Sequence, residues 1–120
     1  MDVTFFAAKE GCDLNSFEEI PENSIIGGGH FTKDQIGDLL GCFKCSASAL
    51  SDNLWILPTS LSEELATIDD EQLKNVAVHW SDERSWENTN VNSMDLAGHL
   101  LELKYAYLSH SNKRVFALFE

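Results

Sequence analysis

Two cysteines spaced as Cys42-Phe43-Lys44-Cys45 come closest, in type and spacing, to a chemical site in this sequence. Such a pair serves as half of a tetrahedral zinc site or as a redox dithiol. Zinc would need two further ligands, for which Cys12 and His30 are the candidates. A dependable zinc pattern repeats a close ligand pair, and this chain carries a single one. A redox pair needs its first thiol at a helix start, where the dipole lowers the pKa. Here the pair follows Gly41, a residue suited to ending a helix. Ordinary, partly buried thiols are the expectation, with no resident metal or cofactor.

Other chemical groups are equally isolated. Gly27-Gly28-Gly29-His30 precedes a helix start, where backbone amides hold anions in some proteins. No Lys-Ser/Thr pair follows, and Asp34 would oppose a phosphate, so a flexible turn is expected. His30, His79, His99 and His110 show no metal-binding spacing; Asp95 and His99 fall on one helix face, as a surface ion pair would. No nucleophile sits in a recognisable catalytic context, and a non-catalytic protein is expected.

The acids are more informative. Twenty acidic residues against eight basic ones leave a net charge of −12. Such a surface repels nucleic acid and anionic lipid, and attracts basic proteins by long-range steering. Asp69-Asp70-Glu71 stands at a helix start, where acids satisfy free amides and match the dipole. Asp82, Glu83 and Glu87 surround Trp86 in a polar connection, where no helix cap accounts for them. An indole ringed by charge suits an interface with a basic protein. The alternative is that Trp86 folds back onto the core beneath a loop, as most indoles are largely buried. Asp69, Asp70, Glu71, Asp82, Glu83, Trp86 and Glu87 are therefore the candidate partner-binding residues.

These residues need a scaffold. A chain of 120 residues with 43% hydrophobic content suits one domain, residues 1–120, with a core of its own. Val3 to Ala8 reads as a strand ending at a turn on Gly11, and Val115 to Phe119 as a terminal strand. Capping-box spacings at Ser16/Glu19, Thr32/Gln35, Ser60/Glu63 and Asp69/Gln72 each predict a helix start. The Thr32 helix is expected to stop at Gly41. Leu54 to Leu57 reads as a short strand or a buried loop. Leu73, Val76, Ala77 and Trp80 share one helix face. Asn92 or Ser93 opens the strongest helix, striped by Leu96, Leu100, Leu103 and Tyr107 with Ala97, Leu101 and Leu108 beside it. This helix is expected to pack on the last strand, which follows a turn over 111–114. The sum is an α+β fold: a small, mostly antiparallel sheet with N- and C-terminal strands, covered by three to four helices.

The start of the chain lacks a basic n-region and a secretory apolar core, and no apolar run approaches the ~20 residues of a membrane span. A cytoplasmic protein is expected. In size, acidity and lack of a catalytic motif, the chain resembles the small bacterial immunity proteins that neutralise toxins, including inhibitors of nuclease bacteriocins and of contact-dependent toxins. The resemblance is one of class and composition, and no short motif carries it. It implies a protein that binds one basic toxin domain and masks its active site or an exosite. The alternatives are a small-molecule-binding or regulatory domain whose acidity serves solubility, and a metalloprotein or enzyme built on Cys12, Cys42, Cys45 and His30. Either oligomeric state is compatible with the sequence.

Overall fold

The apolar segment at the end of the chain finds partners on both sides. The computed structural model describes residues 2–8, 20–110 and 113–120. In chain order these form β1 (Val3–Ala8), β2 (Ile25–Gly29), α1 (Lys33–Cys42), β3 (Ser48–Ala49), β4 (Leu54–Ile56), α2 (Thr59–Thr67), α3 (Asp70–Ser81), α4 (Ser93–Leu108) and β5 (Arg114–Phe119). Short 3-10 turns lie at Glu22–Ser24 and Arg84–Trp86. The strands make one antiparallel sheet in the order β2-β1-β5-β4-β3. With a strand on either side of β5, the amides of its apolar run are hydrogen-bonded within the sheet. The α+β reading holds. The turn on Gly11, the Ser16/Glu19 box, Cys12 and half of the turn at 111–114 lie outside the described residues.

Alternation along the strands sorts two clusters. Val3, Phe5, Ala7, Val115, Ala117 and Phe119 share a core with apolar residues from all four helices. Phe6, Phe116, Leu118, Leu54 and Ile20 form a second cluster, in which the rings of Phe6 and Phe116 stack with centroids 5.2 Å apart. The expected apolar face of α3 forms, with Leu73, Ala77 and Trp80 fully buried and Val76 partly so. In α4 the stripe of Leu96, Leu100, Leu103 and Tyr107 is buried. That helix shares the core with β5, but it packs chiefly on α3 and then on β2 instead of on the last strand. Leu103 Cδ1 sits 3.4 Å from the position of a Cβ on Gly27.

The glycine triplet is a strand, not a flexible turn. Gly27, Gly28 and Gly29 pair with Phe5, Thr4 and Val3 on the sheet edge. A Cβ on Gly28 would stand 2.6 Å from the carbonyl oxygen of Val3, and one on Gly29 would stand 2.6 Å from the Phe31 ring. Close approach of neighbouring groups, not turn chemistry, is what these glycines permit.

Three helix starts were legible and one was misplaced. Thr32 and Asp69 form full capping boxes with Gln35 and Gln72, and Asn92 caps α4 by accepting from Met94 N at 2.8 Å. Ser60 and Glu63 form no box: Pro58 is the N-cap, without a side-chain bond, and α2 begins at Thr59. Proline fixes its own φ for entry to the helix, so Ser60 already lies inside the first turn. The end of α1 also shifts. The helix runs through Gly41 to Cys42, and Lys44 takes the left-handed position with φ 57°. Lys44 N donates to Gly41 O at 2.9 Å and Cys45 N to Leu40 O at 3.0 Å, the paired bonds of a Schellman end.

Candidate partner-binding surface

α3 separates the candidate residues into two groups. Asp69, Asp70 and Glu71 lie at its N-terminus, whereas Asp82, Glu83, Trp86 and Glu87 follow its C-terminus. Twelve helical residues place the groups about 18 Å apart, so they do not make one contiguous patch.

At the N-terminal end each acid has an intramolecular partner. Asp69 accepts from Gln72 N at 2.8 Å. Asp70 takes hydrogen bonds from Lys104 Nζ at 3.0 Å and from the Tyr105 hydroxyl at 2.9 Å. The hydrogen bonds from Lys104 and Tyr105 lower the Asp70 pKa, and the same bond to Asp70 raises that of Tyr105. Lys104 is itself buried, so Asp70 neutralises a cation held away from water. Glu71 lies 3.8 Å from Lys74, an exposed pair of small weight.

The C-terminal end is different. Asp82 is the C-cap of α3 and Glu83 follows it. Both carboxylates therefore stand at the negative end of the helix dipole, where acids are disfavoured. His79 is the basic residue in that last turn. Asp82, Glu83 and Glu87 are exposed and make no ion pair among the described residues.

Between these acids the chain folds back on itself. Trp86 N donates to Glu83 O and Glu87 N to Arg84 O, each at 3.0 Å, and Asn88 closes the turn with φ 65°. α1 holds the turn from outside: Ser85 N donates to Asp38 Oδ2 at 3.2 Å, and Gln35 Nε2 to Ser85 O at 3.4 Å. Trp86 is half-buried, its ring edge-on to Trp80 at 5.5 Å and to Phe31 at 6.0 Å. Its indole Nε1 is out of contact with solvent and has no hydrogen-bond partner among the described residues. Trp86 thus folds largely onto the core, with one flank in an open groove of about 420 Å³ beside Asp82, Glu83 and Glu87.

α1 adds acids that the sequence did not single out. Asp34 and Asp38 line an adjoining open groove of about 610 Å³, shared with Lys33, Arg84 and Trp55. The surface is mixed in sign at its centre and acidic at its margin. What hid Asp34 and Asp38 is their distance in sequence from Trp86. The i, i+4 spacing that puts both on one face of α1 was readable.

The thiols and histidines do not converge. Cys42 ends α1, while His30 lies before its start, about 15 Å away by helical rise, and zinc ligands sit about 2.0–2.3 Å from the metal. Among the described residues no group of three His, Cys, Asp or Glu is placed to hold a metal ion; Cys12 lies outside them. Burial, then Glu83 and Asp38, raise the Cys42 pKa, and burial, then Glu64, raise that of Cys45. Both shifts keep the thiols protonated and weaken them as nucleophiles. His30 bonds to Asp2 at 3.0 Å. His99 does not pair with Asp95; its ring packs edge-on to Phe31 at 5.2 Å. Among the described residues no helix is long and apolar enough to cross a membrane.

Comparison with known proteins found no family model that matches the chain, and no similar curated protein or solved structure.

Proposed function

We propose that the protein is a non-catalytic, cytoplasmic inhibitor of the immunity type, which binds a basic toxin domain through an acidic surface. One observation carries this reading: Asp82 and Glu83 stand against the dipole of α3 and make no salt bridge among the described residues. Helix formation disfavours acids at that position, and their one side-chain contact among the described residues is a long one, from the Cys42 thiol to Glu83 Oε1 at 4.0 Å. Asp34, Asp38 and Glu87 extend the same surface, and the flank of Trp86 offers an apolar contact inside it. A nuclease toxin needs a basic groove to hold phosphates, and carboxylates spread over one face mimic that charge.

The test is kinetic. Stopped-flow association with basic toxin nuclease domains, measured at low and high salt, should show the on-rate falling at least about tenfold as charges are screened. Glu replacements by Gln and Asp by Asn at Asp82, Glu83 and Glu87 should slow association further at low salt. A rate insensitive to both salt and these substitutions overturns the reading. So does the absence of binding to any basic toxin domain encoded beside this chain.

A further inference from the structure

α4 carries two apolar stripes, and only one of them is buried. The second runs Met94, Gly98, Leu101, Tyr105 and Leu108, spaced 4-3-4-3, the repeat by which one helix seats against another. Met94 is 78% exposed, Tyr105 54% and Leu108 42%. Antiparallel packing of α3 and α4 sets Val78, 48% exposed, beside the start of this stripe. Val78, Met94, Gly98 and Leu101 line an open groove of about 320 Å³, its walls predominantly apolar, and Tyr105 and Leu108 carry the stripe on beyond it. Gly98 makes a dip in the floor, with no atom near the place a Cβ would occupy. From Met94 to Leu108 the stripe is about 21 Å long, the length of four helical turns.

Charge decides what the groove accepts. Glu71 and Asp82 stand at the two ends of the α3 wall. Asp95 and Glu102 lie one position round α4 from Met94 and Leu101, along the outer margin of the stripe. Lys74, already beside Glu71, is the one cation among the lining residues. A second copy of this chain would bring like margins together and oppose two net charges of −12. A basic helix meets apolar wall and carboxylate margin at once.

We propose that the α3–α4 groove is a docking site for an amphipathic, basic helix of a partner protein, with large apolar side chains seated between Val78, Gly98 and Leu101 and Lys or Arg facing Glu71, Asp82, Asp95 and Glu102. This goes beyond the inhibitor reading and holds whether or not the partner is a toxin. None of the described residues lining the groove belongs to the acidic turn around Trp86, which begins where Asp82 ends the α3 wall.

A synthetic peptide of about 18 residues, with leucines at helical 3-4 spacing and lysines elsewhere, is the probe. Titrated into the full chain, it should bind one-to-one with a Kd below about 100 μM. Amide shifts in NMR spectra should cluster at Val78, Met94, Gly98, Leu101 and Tyr105. A matched Leu/Glu peptide and a Lys/Ser peptide of equal charge should bind at least tenfold more weakly. The deciding variant is Val78→Glu with Met94→Glu, at two exposed positions that leave the core untouched. It adds negative charge, so attraction by charge alone would tighten binding, whereas a seated helix loses at least tenfold. Binding that is unchanged or tightened in the variant overturns the proposal, as do shifts centred on Trp86. A concentration-dependent dimer in sedimentation runs, dispersed by the same variant, also overturns it by making a second copy the occupant.

Discussion

The two ends of α3 carry nearly the same chemistry and opposite physics. Asp69-Asp70-Glu71 and Asp82-Glu83 are short acidic runs, one at each end of the twelve-residue α3. At the first end the acids cap amides, neutralise a buried lysine and meet the positive end of the dipole. At the second they face the negative end, exposed and without a salt bridge among the described residues. The difference teaches that an acidic run means little until its end of the helix is known. Charge at the first end belongs to the fold, and charge at the second is free to act on something else.

The largest effects should come from the two indoles near the second end. Trp80 is buried, and its Nε1 donates to Gln35 O at 2.7 Å, tying α3 to α1. Trp86 is half-buried, and its Nε1 has no partner among the described residues. Trp80→Ala should cost about 3–5 kcal/mol in chemical denaturation. Trp86→Ala should cost about 1–2 kcal/mol, since less of its surface is removed from water. The phenylalanine variants sharpen the contrast. Trp80→Phe removes the donor to Gln35 and should cost about 1–3 kcal/mol, whereas Trp86→Phe deletes an unpaired donor and should stay within about 0.5 kcal/mol. Equal losses at the two positions would make Trp86 a core residue and break the contrast.

The acids themselves give smaller and opposite shifts. Asp69→Ala removes the α3 cap and should destabilise by about 1 kcal/mol. Asp82→Asn with Glu83→Gln removes charge from the wrong end of the dipole and should stabilise by a few tenths, roughly 0.3–1 kcal/mol. Thermal unfolding of the three chains at low salt measures both. A loss of stability in the Asp82/Glu83 variant would mean that these acids do serve the fold, and the observation behind the proposed function would go with it.

Much of this contrast was written in local sequence, and the rest was not. The 3-4 spacing of Leu73, Ala77 and Trp80 and the Asp69/Gln72 box are short-range signals, so α3 and its cap were legible. So were β5 and the buried stripe of α4. β2 was missed because its glycines answer to atoms far along the chain, the carbonyl of Val3 and the ring of Phe31. Asp34 and Asp38 were overlooked, since only the fold carries the 82–87 turn against α1. Leu101 was visible on α4, yet the groove it helps to form needs Val78 from another helix. Position along an element was readable; neighbours across elements were not.

The finest test of the contrast is titration at the first end. Asp70 has its pKa lowered below the ordinary 3.8, chiefly by the Lys104 and Tyr105 hydrogen bonds. A carboxylate whose pKa is lower folded than unfolded stabilises the fold fully above its unfolded value and loses that contribution as pH falls through the folded one. Asp70→Asn should therefore flatten the acid limb of stability below about pH 4. The same bond raises the Tyr105 pKa above 10.0, since ionising the phenol breaks a hydrogen bond and places two anions together. Ultraviolet titration should thus show one tyrosine ionising earlier in Asp70→Asn than in the parent chain. Acids at the other end of α3 have no such partner among the described residues, and Asp82→Asn should leave the tyrosine curve where it was. If Asp82→Asn moves the tyrosine curve as far as Asp70→Asn does, the Asp70–Tyr105 bond is not what sets it, and the division of labour along α3 fails.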